Sequence, residues 1–347
     1  MATKSRRYGA PRRRRSRSLL WILLGLVGLG ALTSIFGAIG GRRLMEAELP
    51  EPEPVRPRRP RTSPEPPDEE AEPEAEAPSG EGETLWIAGP AGNLYVRDGG
   101  PGSEADDPLP VLFLHSLAGN GGQWALQLDH LRPHRRAVAL DFRGHGESDP
   151  AEDGDYSIGG LAGDVAAVAD QLGLRRFILA GHSLGASVAI EYAARHPERV
   201  AGLLLADPNG DMTRVPREQV EPFLAALRED PLGELESYYR QLVLSGDRDA
   251  ASWVIEDLRL THEDAISIAL ESSSQYQPLP ALERYKGPKL SVISDMNSLP
   301  YSLHNLATDL PARLMTGTGH WLMMDRPETF NHLMDELVQQ AEALRSA

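Results

Sequence analysis

The sequence predicts an α/β fold: a mostly parallel, doubly wound sheet with a helical cap insertion, preceded by one N-terminal transmembrane helix and a disordered linker. Three observations predict it. Short runs of about four apolar residues recur from position 85 to the end of the chain. Amphipathic helical patterns lie between them. One uncharged stretch near the N-terminus is long enough to cross a bilayer.

Residues 1–18 carry Lys4 and seven arginines and no acid, which reads as a basic cytoplasmic arm lying on anionic lipid. Leu19 to Gly40 is a run of 22 residues without a charge. As a helix it is roughly 33 Å long, the thickness of a bilayer core. The expectation is an uncleaved signal anchor over residues 19–41. A cleaved signal peptide is the alternative, with Ala38-Ile39-Gly40 as its small-x-small site. The run exceeds the usual apolar region of about 7–15 residues. The excess of positive charge before the span puts the N-terminus in the cytoplasm and the rest on the periplasmic or extracellular side. Gly30, Ser34 and Ala38 recur every four residues, a spacing that favours weak homodimerisation through the membrane helix. Residues 44–84 hold thirteen acids and ten prolines. Such a segment cannot bury a core, so residues 42–84 read as a disordered linker.

The chain has 347 residues and no cysteine. That excludes disulfides, thiolate metal sites and a cysteine nucleophile. Residues 85–347 carry 38 acids against 21 bases, which argues against a nucleic-acid ligand. No H-E-x-x-H, Walker A or dinucleotide glycine pattern occurs, so neither a metal nor a cofactor is expected.

Within 85–347 the expected strands are Leu94–Val96, Val111–Leu114, Ala137–Leu140, Phe177–Ala180, Leu203–Ala206, Leu290–Ile293 and Arg313–Met315. Runs apolar at every position suit strands buried on both faces of a parallel sheet. Leu161–Leu172 and Ala186–Ala194 are the clearest helices between them. Residues 211–286 break the alternation with four helical patterns. An insertion of that length reads as a cap over the carboxyl ends of the strands, where ligands bind in such sheets.

Gly181-His182-Ser183-Leu184-Gly185 follows a strand and opens a helix. A tight turn there makes Ser183 protrude at a helix N-terminus, where the dipole favours developing negative charge. A serine needs a base, and His320 stands on a loop between the last strand and the final helix. His182 is beside Ser183 and reads as structural. His115 and His145 end strands but precede the nucleophile.

Here the chain resembles the α/β-hydrolase superfamily, of the serine esterase and lipase kind, over about residues 85–345. His115-Ser116-Leu117 is similar to its His-Gly oxyanion turn, with Ser116 in place of glycine. Asp141-Phe142-Arg143-Gly144-His145-Gly146-Glu147-Ser148 is similar to its D-x-R-G-x-G-x-S loop. The resemblance implies a serine hydrolase cleaving an ester of a small-molecule acyl substrate through an acyl-enzyme. Ser183 would be the nucleophile and His320 the base. The backbone N–H groups of Leu117 and Leu184 would hold the oxyanion. For the triad acid, Asn297 stands where the family usually has it, and Asp295 comes two residues earlier. Asp207, after the strand that follows the elbow helix, is the first expectation, Asp295 the second and Asp211 the third. Carbon–carbon hydrolysis, acyl transfer and a non-catalytic tethered binding protein are the competing readings. Phe223, Leu224, Leu227, Trp253, Ile255 and Leu258 are candidates to line an acyl pocket or to form the cap's own core.

Overall fold

In a computed structural model, which describes residues 82–101 and 108–346, the strand runs assemble into one eight-stranded sheet. The expected basic arm, membrane span and nearly all of the linker lie outside the described residues. Among the described residues no helix is long and apolar enough to cross a membrane.

The strands are β1 (Glu83–Gly89), β2 (Gly92–Gly99), β3 (Val111–Leu114), β4 (Ala137–Leu140), β5 (Phe177–His182), β6 (Val200–Ala206), β7 (Lys289–Ser294) and β8 (Ala312–Met315). Their spatial order is β1-β2-β4-β3-β5-β6-β7-β8. From β4 to β8 all neighbours are parallel, whereas β1, β2 and β4 pair antiparallel. Every residue of β3, β4, β5 and β6 is buried, as their unbroken apolar runs require. β1 was not anticipated as a strand. It is an edge strand with Glu83, Thr84 and Trp86 exposed; its apolar run, Leu85–Ala88, abuts the charged linker, and the sheet begins two residues inside the expected linker. At the other edge Arg313 and Leu314 of β8 are exposed.

Helices cover both faces. α1 (Ala125–Leu131) and the terminal α11 (Pro327–Ser346) pack on one side. α2 (Ile158–Gln171), α3 (Leu184–Arg195) and the short α8 (Pro278–Leu282) pack on the other. Between β6 and α8 the cap contributes α4 (Arg217–Glu229), α5 (Pro231–Leu242), α6 (Arg248–Leu258) and α7 (Glu263–Gln275). Side-chain caps fix two of their starts. The Asp230 carboxylate accepts from Gly233 N at 3.0 Å, and that of Asp247 accepts from Asp249 N and Ala250 N at 2.9 and 3.1 Å. The cap helices bury Leu227, Leu235, Val254, Leu258 and Ile266 among themselves. Two further short helices, α9 (Leu303–Leu306) and α10 (Leu322–Asp325), flank β8 and the loop after it.

The Asp141–Ser148 loop is tied down by polar contacts. Asp141 accepts from Gly121 N at 2.6 Å, Arg97 Nη1 at 2.7 Å and Glu147 N at 3.1 Å. Arg143 is buried and pairs with Asp164 of α2, Nη2 to Oδ1 at 2.6 Å and Nε to Oδ2 at 2.9 Å. Its remaining donors reach Asp155 O and Gly160 O at 3.0 and 3.1 Å. Burial pushes the Asp164 carboxyl up, against the pull of Arg143. Replacing Asp164 by Ala strands the guanidinium in the interior. Equilibrium urea unfolding should then lose about 3–5 kcal/mol, because the partner charge stays buried. A loss below about 1 kcal/mol would mean that Arg143 escapes to solvent.

Candidate active site

Ser183 sits between β5 and α3 with φ 52° and ψ −110°. A non-glycine residue in that conformation costs on the order of 1–3 kcal/mol and persists only where its surroundings enforce it. Close approach enforces it here. A Cβ at Gly181 would lie 2.2 Å from Gly185 O, and one at Gly185 would lie 2.5 Å from both Leu114 O and His115 O. Both glycines are therefore required by steric contact, which lets α3 start directly against β3 and β5. Ser183 is left only 8% exposed at the helix N-terminus. Its hydroxyl donates to Asn209 Oδ1 at 3.5 Å, the outer limit of a hydrogen bond, and makes none to His320. Rotation about χ1 moves Oγ among staggered wells, and such contacts are often long before substrate binds.

His320 follows β8, as expected. Its Nδ1 lies 2.6 Å from Asp207 Oδ2. A carboxylate acceptor on that side assigns the ring proton to Nδ1 and leaves the Nε2 lone pair free. Asp207 ends β6 with φ 40°. It also accepts from Ser294 N and Ser294 Oγ, both at 2.9 Å, and from Asn297 Nδ2 at 3.1 Å. Four donors fill the acceptor sites of one carboxylate. Asp295 is exposed and accepts from Gly317 N at 2.8 Å, and it makes no contact with His320. Asp211 caps the turn after β6, accepting from Thr213 and Arg214. Of the three carboxylates weighed from the sequence, the structure brings Asp207 to His320.

The turn after β3 carries Leu117, whose neighbour Ala118 has φ 49°. Leu184 is the first residue of α3, and its N–H is among the four that a helix cannot pair internally. Leu117, Ser183, Leu184, Asp207 and His320 line one cleft of about 1060 Å³, counting the space open to solvent. The cap closes it with Val220, Phe223, Leu224, Leu235, Tyr238 and Leu270. Phe223 and Leu224 thus face the cleft, whereas Leu227, Ile255 and Leu258 are buried elsewhere in the cap. Trp253 borders a second cavity.

The other strand-end histidines are structural. His115 accepts from Phe142 N at 2.9 Å and donates through Nδ1 to Ser116 O at 2.7 Å. Burial pushes the His115 and His145 imidazoles down to about 3. His182 is buried, which lowers it well below the usual range, and its Nε2 donates to His320 O at 2.9 Å.

Three supports were not found from the sequence. The Tyr239 hydroxyl of α5 donates to Leu117 O, which pins the turn after β3. The last turn of α5 accepts His320 N at Leu242 O, 3.1 Å. Asn209 holds the Ser183 hydroxyl. The first two depend on the path of the cap, Asn209 follows Asp207 ahead of it, and no local motif announces any of the three.

Comparison with known proteins places the chain in a family. A profile described as alpha/beta hydrolase fold matches residues 110–327. The acetyltransferase component of an acetoin-cleaving system from Cupriavidus necator is 28% identical over 251 residues, covering 69% of this chain and 64% of that protein. The chain therefore spans just under two thirds of that relative. Among solved structures, an esterase from Exiguobacterium antarcticum superposes with TM-score 0.64 at 19% identity, over 74% of this chain and 100% of its own. The enol-lactonase from Burkholderia xenovorans LB400 does so with TM-score 0.64 at 21% identity, again over 74% and 100%. With its matched segment running from β3 to the start of α11, the chain belongs to the alpha/beta hydrolase fold family.

Proposed function

We propose that this protein is a serine hydrolase that cleaves an uncharged carboxylic ester through an acyl-enzyme. The 2.6 Å hydrogen bond from His320 Nδ1 to Asp207 carries the reading, because it leaves Nε2 as a base at the edge of the cleft that Ser183 enters. In the proposed reaction Ser183 Oγ attacks the ester carbonyl carbon and its proton passes to His320 Nε2. The carbonyl oxygen, now an alkoxide, takes hydrogen bonds from Leu117 N–H and Leu184 N–H. Collapse expels the alcohol, which takes the proton from His320. Water then attacks the acyl-enzyme with His320 again as base and releases the acid. Asp207 keeps the imidazole in its Nδ1–H tautomer and stabilises the imidazolium. Losing one oxyanion donor costs about 3 kcal/mol of barrier.

The lining of the cleft favours an uncharged acyl group. Apolar side chains dominate it, no Lys or Arg is among them, and Asp207 is its one carboxylate. Burial raises the Tyr238 hydroxyl and pushes that of Tyr301 up to about 12, so both stay neutral at neutral pH and neither adds a charge to the cleft. A carboxylate on the substrate would lose its hydration and find no cation. The Ser273 hydroxyl of α7 lies on the cleft wall, buried and without a partner. It is one polar contact available to a substrate in that mostly apolar wall. The esterase and enol-lactonase names of the structural neighbours agree with acyl chemistry on this fold. The membrane tether read from residues 19–41 remains part of the proposal and rests on the uncharged run alone.

A fluorophosphonate probe should label the protein at Ser183, with labelling abolished in Ser183→Ala and the site mapped by mass spectrometry. Absence of label on the folded protein would overturn the reading. Against a p-nitrophenyl ester, Asp207→Asn should lower kcat by about 10⁴, while Asp295→Asn should stay within about twofold because its carboxylate faces solvent. In a matched pair of equal chain length, a p-nitrophenyl ester with a terminal methyl should exceed one with a terminal carboxylate by at least about 100-fold in kcat/KM, the size of an unpaired buried charge. Equal rates would place the acyl group outside the cleft.

A further inference from the structure

A chain of hydrogen bonds runs from the cap to both sides of the reaction centre. Its source is Asp257, on the last turn of α6. Asp257 Oδ1 accepts from Asn120 Nδ2 at 2.7 Å, and Oδ2 accepts from Gln123 Nε2 at 3.0 Å. Both amides belong to the segment that follows the oxyanion turn. On its other side Gln123 Oε1 accepts from Ser116 Oγ at 3.2 Å and from Trp321 Nε1 at 3.3 Å. Ser116 precedes Leu117, and Trp321 follows His320. Gln123, Ser116 and Trp321 are all buried.

We propose that Asp257 is a positioning residue, whose acceptor-only carboxylate fixes the orientation of the Gln123 amide and so holds the oxyanion turn and the His320 loop in register. The inference rests on the hydrolase reading above. The logic is one of polarity. An ionised carboxylate has no proton to donate, so the amides of Asn120 and Gln123 must both present NH₂ to it. Gln123 then has its carbonyl on the far side, where two donors converge, the Ser116 hydroxyl and the Trp321 indole N–H. A reversed amide would set NH₂ against the Trp321 indole, which can only donate, and leave that buried N–H unpaired at about 1–3 kcal/mol, while the Ser116 hydroxyl would have to turn its proton to Leu117 O, 3.3 Å away. The serine that replaces glycine in the oxyanion turn thereby has a reason. Its hydroxyl is one of the two donors that read the Gln123 carbonyl.

Protonation of Asp257 would release the constraint, since a carboxylic acid donates as well as accepts. Burial pushes this carboxyl up to about 6, opposed by its hydrogen bonds from Gln123 and Asn120. Asp141 nearby raises it further and Arg97 lowers it, and Glu256 borders the same cavity. The sign for stability is opposite to that for activity. A folded-state carboxyl above its unfolded value binds its proton earlier in the folded state, so its contribution to stability falls as pH rises from about 4 to about 6. Activity through the network should rise over the same window.

The experiment compares the wild type with Asp257→Asn, which mimics the protonated state at every pH. With a p-nitrophenyl ester at pH 8, kcat should fall about 10- to 100-fold, the scale of a small misplacement of reacting groups. KM should stay within about twofold, and urea stability should hold or rise. The wild-type acid limb of kcat should steepen below about pH 6, and the variant's should remain that of one proton. The double variant Asp257→Asn with Gln123→Glu restores the polarity. The new carboxylate at 123 accepts from the new amide at 257, from Trp321 and from Ser116, and should recover most of kcat. A second readout does not need turnover. The Trp321 indole N–H resonance, assigned with Trp321→Phe, should shift with a midpoint near pH 6 in the wild type and lose that step in Asp257→Asn. A variant with unchanged kcat and pH profile overturns the proposal, as does a parallel loss of stability and activity without rescue. An indole resonance that lacks the step also overturns it, even if the wild type hydrolyses no ester. A wild type that shows the step but takes no fluorophosphonate label supports the network and sinks the hydrolase reading instead.

Discussion

The contact on which the site depends is the approach of α3 to the sheet. Gly185 lies against the carbonyls of Leu114 and His115, and Gly181 lies against Gly185. No side chain fits in either gap, so the elbow is closed by sterics and the strain falls on Ser183. That single contact sets three things at once. It turns Ser183 into the cleft, points the first N–H groups of a helix at the same space, and fixes the distance from that helix to the turn bearing Leu117. Any larger residue at 181 or 185 would push α3 off β3 and part the two N–H groups proposed to share the oxyanion.

The second fixed point is Asp207. A carboxylate that holds a histidine must itself be held, or it swings to solvent. Ser294 supplies a backbone and a side-chain donor from the end of β7, and Asn297 adds a third. The segment Ser294–Asn297 thus contributes neutral donors to an acid that comes from β6. This explains why Asn297 at the usual acid position does not argue for a site that has lost its chemistry. A second carboxylate there would face Asp207 across about 3 Å, where like charges drive one of the pair to protonate. An amide at that position gives Asp207 a donor instead.

The sheet was largely legible in the sequence because strands buried on both faces are written as unbroken apolar runs. Val111–Leu114, Ala137–Leu140 and Phe177–Ala180 fall inside β3, β4 and β5 with no shift of register. β1 escaped because its apolar run, Leu85–Ala88, abuts the charged linker and, on an edge strand, mixes exposed and buried positions. The cap helices were legible from their periodicity, to within a few residues at each end. Ser183, His320, Leu117 and Leu184 could be placed at one cleft because each sits in a local motif whose geometry is set within a few residues. Asp207 was readable only as one of three carboxylates, since the choice turns on where Ser294 and Asn297 lie 87 and 90 residues away. Tyr239, Asn209 and the Asp257–Gln123 network left no local trace. The partners of Tyr239 and Asp257 are brought together by how the cap packs on the sheet, and Asn209 reaches Ser183 through the pairing of β5 with β6, which no spacing along the chain encodes.

That packing makes the cap part of the reaction centre rather than a cover laid over it. Its helices reach three separate components of the site. Tyr239 holds the carbonyl of Leu117, Leu242 O holds the backbone N–H of His320, and Asp257 holds Gln123, which bonds to Ser116 and Trp321. Asp325, beside the His320 loop, adds a fourth link by accepting from Asp247 N of the cap at 2.8 Å and from Gly319 N at 2.7 Å. A rigid-body opening of the cap would break these bonds together and release the turn bearing Leu117 and the His320 loop at the same moment. The same coupling lets the cap set more than the shape of the pocket. A change in α5 or α6 that touches no substrate can alter the chemistry through the backbone of Leu117 or His320.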